Sequence, residues 1–152
     1  MSGNASSAFQ AVTALRVAEV MHRGVVSCPA EESLETVATL MSAEQIHCVI
    51  VVHDGDPGSL WGVVSDLDLV AAASVRPLVD QRAGGTAMRP AVTVAPSASL
   101  DAAASLMTRT GVAHLVVVDP VERRPVGVLS TLDLAGALAG ASLRPVSTRP
   151  RT

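Results

Sequence analysis

The feature that most restricts this chain is an internal repeat. Residues 26–53 align with residues 92–119 at a constant offset of 66, with 8 identities in 28 pairs. After a one-residue difference in loop length, residues 61–72 align with 126–137, with 7 identities in 12. The clearest stretch sets Gly62-Val-Val-Ser-Asp-Leu-Asp-Leu69 against Gly127-Val-Leu-Ser-Thr-Leu-Asp-Leu134. Upstream, Ala18-Glu-Val-Met21 returns more weakly as Thr86-Ala-Met88. A unit of about 50 residues buries too little surface to stand alone, so the two copies must pack on each other.

Both copies read in the same order. A short β-rich run (Val25–Cys28; Ala91–Val94) is ended by a proline or its neighbour. A helix follows, with apolar residues at i, i+3, i+4 and i+7: Leu34, Val37, Ala38 and Met41, then Leu100, Ala103, Ala104 and Met107. Ser33 and Ser99 stand where N-caps belong, and Gly111 can end the second of these helices in left-handed geometry. Gln45 holds the corresponding place in copy one and suits it less well. Two strands come next, His47–Val52 with Trp61–Val64, and Ala113–Val118 with Val126–Leu129. Turn-forming residues join them at Asp54–Gly58 and from Asp119-Pro120 onward. A second helix starts after Ser65 or Ser130.

The expected class is therefore α/β in the α+β sense, two pseudo-symmetric β-α-β-β-α units packed sheet to sheet. The expected divisions are an N-terminal segment at 1–16, one unit at 17–74, a linker at 75–85, a second unit at 86–141 and a flexible basic tail at 142–152.

Composition removes several functions. Ala and Val supply 24 residues each, with one Phe, one Trp and no Tyr, so the core is built of small aliphatics. All 11 basic residues are Arg, and the net charge is −3. A nucleic-acid binder's positive surface and stacking aromatics are missing. Apolar runs such as Val49–Val52 fall far short of the roughly 18 residues of a membrane span. No signal peptide is expected, and Cys28 and Cys48 are too few for a disulfide framework, so a cytoplasmic protein with free thiols is expected. Charged residues make up only 16%, low enough to expect part of the surface to be covered in a homodimer.

Taken together, the doubled β-α-β-β-α unit, each copy carrying Gly-h-h-Ser-x-x-Asp (h apolar), resembles a tandem pair of cystathionine-β-synthase-type (CBS) domains, the Bateman module. The match covers roughly residues 17–140, and a stand-alone module without an attached catalytic domain is expected. The resemblance implies a regulatory sensor that binds AMP, ADP, ATP or S-adenosylmethionine, requires no cofactor and carries out no catalysis.

It also implies two clefts between the copies. One would use Ser130 and Asp133, with Cys28, Ser33 and His47 opposite; the other, Ser65 and Asp68, with Val94, Ser99, Ala113 and His114. The aspartates would take the ribose hydroxyls, since a carboxylate is acceptor-only and can accept from a cis-diol. Main chain at Val26–Cys28 and Val92–Val94 would read the adenine edge, and the serines would lie near phosphate at the helix starts.

The same residues carry a second meaning. Ser-x-x-Asp before an apolar helix is a capping box that satisfies the helix's own amides. With one His per site and no Arg at the start of the second strand, positive charge for a phosphate is sparse. This leaves room for S-adenosylmethionine, and for a ligand-free module that only dimerises or docks on a regulated protein. Arg16, Arg23 and Arg89 flank the first strands, Arg109 ends a helix, and Trp61 belongs to the second hairpin or a dimer face. His47 and His53 are not spaced as metal ligands, so no metal is expected.

Overall fold

A computed structural model describes residues 10–142. The tail expected at 142–152 and the first nine residues of the N-terminal segment lie outside the described residues, Ser142 excepted. In chain order, the described residues open within a helical turn through residue 13 (α1). There follow α2 (Val17–Val20), β1 (His22–Arg23), β2 (Ser27–Pro29), α3 (Leu34–Glu44), β3 (Cys48–His53), β4 (Asp56–Ser65) and α4 (Asp66–Ala73). A 3-10 turn (Leu78–Asp80) and α5 (Ala83–Thr86) lead to β5 (Thr93–Val94), α6 (Leu100–Thr110), β6 (His114–Val118), β7 (Pro125–Ser130) and α7 (Thr131–Ser142). The expected β-α-β-β-α order stands in both copies, as β2-α3-β3-β4-α4 and β5-α6-β6-β7-α7.

The helix signals act as read. Ser33 Oγ accepts from Thr36 N at 3.2 Å, and Ser99 Oγ from Ala102 N at 3.1 Å. Gly111 ends α6 at φ 71°, and Gln45 takes the equivalent left-handed position at φ 54° despite its side chain. The hairpin in copy one is tighter than expected. Its turn is Asp54-Gly55 alone, with Gly55 at φ 78°, and β4 runs on through the rest of the anticipated turn.

Each copy contributes a sheet, ordered β2-β3-β4 and β1-β7-β6-β5. Strand β3 is buried from Cys48 to Val52 because both of its faces are covered. Val49 and Val51 meet Leu34, Val37 and Met41 under α3, while Cys48, Ile50 and Val52 join Val63 and Val116 between the sheets. Leu115, Val117 and Leu129 form the third layer with Leu100, Ala103 and Met107 of α6.

The copies also exchange their leading segments. α2 and β1 precede copy one but pack on copy two. Val17 is fully buried with Leu100 and Leu115, its N–H bonds Ala98 O at 2.8 Å, and β1 pairs antiparallel with β7. In the mirror arrangement α5 seats on copy one: Ala83 N bonds Glu32 O, Gly84 N bonds Ala30 O, and Met88 bridges Val63. The residues between the copies are structured. Gln81 is buried, with Nε2 donating to Ala72 O and Arg76 O at 2.9 Å.

This exchange explains the glycine of Gly-h-h-Ser. A β-carbon on Gly127 would overlap His22 O, and one on Gly62 would come within 2.5 Å of Met88 O. The crossing segments need a bare α-carbon beneath them.

Candidate functional site

A cleft of about 550 Å³ opens between the copies. Its lining comes from residues 22–26, from 45–48 ahead of β3, and from His114, Val128, Ser130 and Leu132. Of the expected site residues, Val26, His47 and Ser130 meet here, and so does His114, which the sequence places in the opposite cleft. Its position follows from the sheet: His114 pairs with Ser130 across β6 and β7, so the two share an edge.

Other expected residues sit apart from this lining. Cys28 turns into the core under α3, 4% exposed, and Ser33 is committed to its cap and to Thr36 Oγ1. In copy two Ser99 caps α6 and bridges Arg16, Val94 is half-buried against the core beneath that helix, and Ala113 is exposed, its O accepting from Thr131 N. The carbonyls of Val26 and Val92 each complete a strand ladder, accepting from Ile50 N and Val116 N at 3.0 Å, which leaves their second lone pairs.

Both Ser–Asp pairs close as capping boxes. Ser65 Oγ accepts from Asp68 N at 3.2 Å while Asp68 Oδ2 accepts from Ser65 N at 2.8 Å. Ser130 and Asp133 repeat this at 3.1 and 2.8 Å. Capping occupies one oxygen of each aspartate, so it does not exclude a ligand at the other. Asp133 is engaged further: its Oδ1 lies 2.8 Å from His22 Nε2.

The cleft is lined by basic side chains. Arg23, His22, His47 and His114 line it, and no carboxylate does. At its edge His47 Nδ1 faces Asp66 Oδ2 at 3.0 Å, and this bond, with Leu67 N–H, holds the Asp66 carboxyl below its ordinary range. Burial pushes the His114 imidazole below its usual value, partly offset by Asp66. His22 and Gln45 escaped the sequence reading as cleft residues. The one signal for His22 was its place directly after the repeated Met21, where Arg89 follows Met88.

Burial pushes the thiols of Cys28 and Cys48 up to about 11, and both are free. Register sets Cys28 opposite Val51, three residues from Cys48. Trp61 packs in copy one, its Nε1 donating to Gly84 O at 3.0 Å, with the Arg89 guanidinium 3.8 Å above its ring.

A doubled α+β unit with exchanged leading segments, sheets face to face and a cleft between the copies defines a paired-repeat module. The CBS domain family model matches residues 17–75 and 85–140. The chain belongs to the CBS domain family.

Among solved structures, the CBS domain protein PAE2072 from Pyrobaculum aerophilum, complexed with AMP, is 28% identical. It covers 84% of this chain and 98% of its own, with a TM-score of 0.75. The CBS domain pair of protein MJ0100, in complex with 5′-methylthioadenosine and S-adenosyl-L-methionine, shares the fold at 19% identity, 83% and 97% coverage and a TM-score of 0.75. Hypoxic Response Protein I, with two coordinated zinc ions, does so at 24% identity, 80% and 98% coverage and a TM-score of 0.67. No curated protein sequence matches this chain. Among the described residues of this chain, no three His, Cys, Asp or Glu side chains are grouped to hold a metal, and no helix is long and apolar enough to cross a membrane.

Proposed function

We propose that this chain is a regulatory module that binds an adenosine-type ligand in the cleft between its copies and performs no chemistry on it. The observation that carries this reading is the cleft's character: about 550 Å³, lined by one arginine and three histidines without a carboxylate, and reaching Ser130 at the start of the 12-residue helix α7. An arginine guanidinium and the N–H donors of neighbouring imidazoles suit a phosphate. That favours AMP, ADP or ATP over the cationic S-adenosylmethionine. The AMP complex of PAE2072 supports the same ligand class.

Within this reading Ser130 and His47 contact the ligand, Val26 main chain meets the base, and Asp133 is the ribose acceptor. Cys28 and Ser33 contribute through the strand and helix they anchor. Ser65 and Asp68, with Val94, Ser99 and Ala113, form the pseudo-symmetric second site, while His114 lines the first cleft beside Ser130. A ligand acts by binding one arrangement of the copies better than another, and a partner protein reads the difference. The module works in the cytoplasm as a homodimer, joined through α4 and α7, whose Leu67, Val70 and Leu132 are 72%, 65% and 71% exposed.

One observation favours a second reading, a ligand-free interaction module: both Ser–Asp pairs are closed as caps without any ligand. Thermal unfolding with AMP, ADP, ATP and S-adenosylmethionine separates the two, because a ligand that binds only the folded state raises Tm. Stabilisation by a nucleotide that is lost in Asp133→Ala or Asp68→Ala supports the first reading. An unchanged Tm at millimolar ligand supports the second.

A further inference from the structure

Resting on the adenosine-ligand reading, we propose that His22 competes with the ligand's ribose for Asp133, and so sets how strongly the cleft selects ribose over 2′-deoxyribose. Asp133 itself does not line the cleft; the side chain lining it there is His22. The imidazole Nε2 stands 2.8 Å from Asp133 Oδ1, with the imidazole 80% exposed and the carboxylate only 10%. The other oxygen, Oδ2, accepts from Ser130 N at 2.8 Å. Both oxygens of the one carboxylate that could take a cis-diol are therefore engaged by the protein.

The two bonds differ in how they can be released. The Ser130 bond is part of the cap of α7, and breaking it exposes a helix terminus. The His22 bond is held by an exposed ring on a backbone that is fixed independently. His22 and Arg23 pair with Val128 and Gly127, and Gly24 N donates to Val126 O at 2.9 Å. Side-chain rotation alone uncovers Oδ1, with β1 left in place. A ribose hydroxyl that reaches Asp133 must therefore displace His22, whereas a ligand held only through base and phosphate need not.

The repeat supplies an internal contrast. Arg89 occupies the place of His22 in copy two, yet its guanidinium lies over Trp61 at 3.8 Å. Among the described residues Asp68 keeps only its capping bond to Ser65 N and has no such competitor. The guard belongs to one of the two aspartates.

The test is isothermal titration of AMP and 2′-deoxy-AMP into the wild type, His22→Ala and His22→Gln. An exposed pair of this kind is worth up to about fivefold in affinity. In His22→Ala, AMP should tighten by about that factor and 2′-deoxy-AMP, which keeps only one of the two hydroxyls, by distinctly less. His22→Gln, which keeps an N–H donor at similar reach, should return the ratio to the wild-type value. If both nucleotides change by the same factor in His22→Ala, or AMP weakens, His22 is a ligand contact and the competition is overturned. If neither nucleotide binds any of the three proteins, the nucleotide reading itself fails and the competition with it.

Discussion

The main-chain carbonyl of His22 lies against the α-carbon of Gly127, closer than any β-carbon would permit. His22 precedes copy one and Gly127 belongs to copy two, so this contact is where one repeat laces into the other. Gly62 and Met88 O form its mirror image. Gly127→Ala and Gly62→Ala should each destabilise the fold by about 1–3 kcal/mol through overpacking. Gly136→Ala in α7, where a β-carbon meets open space, should be neutral or stabilising. Urea unfolding of the three variants checks the contrast.

Acid should weaken the fold in two stages. Because the His114 imidazole sits below its usual 6.5 in the folded protein, the unfolded chain takes up that proton first. Stability then falls as pH drops below about 6.5. Asp66, held below its ordinary 3.8, adds stability above that value that is lost as pH falls through its lowered range. Denaturant midpoints between pH 8 and 5 should decline in the wild type and flatten in His114→Gln.

Alkali acts through the thiols. With folded Cys28 and Cys48 near 11 against 9.0 for a free thiol, the unfolded chain loses its protons first. Stability should therefore decrease as pH rises from 9 to 11. At pH 7.5 a thiol reagent should react with both cysteines only on unfolding, because a buried thiol with a raised pKa supplies little thiolate. Rapid labelling of either cysteine in native protein would contradict this.

Exposed apolar residues on α4 and α7 test the dimer. Leu67→Glu and Leu132→Glu should convert a species of twice the chain's 15.5 kDa into one of 15.5 kDa in light scattering, without loss of helix content. An unchanged mass in both variants would place the interface elsewhere.

Much of this fold was legible because its signals are local and doubled. Ser33, Ser99 and Gly111 mark helix ends by chemistry that acts within four residues. The apolar runs Val49–Val52 and Leu115–Val118 are short but occur twice. The exchange of leading segments was not legible. Nothing in Ala18-Glu-Val-Met21 says which copy it packs on, since burying Val17 against Leu115 is a contact across 98 residues of sequence. The site suffered for the same reason. With β1 unassigned, His22 had no place in the cleft, and His114 was set opposite Ser130 rather than beside it because strand register across β6 and β7 was unknown. The pairing of Ser130 with Asp133 was legible, since Gly-h-h-Ser-x-x-Asp is a contiguous motif. Its glycine went unexplained until the crossing segment was seen above it.

The most direct measurement of ligand binding between the copies is an amide NMR titration of the full chain with AMP. Shifts should concentrate at residues 22–26, 45–48, 114 and 128–132, which line the cleft. A spectrum unchanged at millimolar AMP, or shifts confined to surfaces away from these residues, would contradict it.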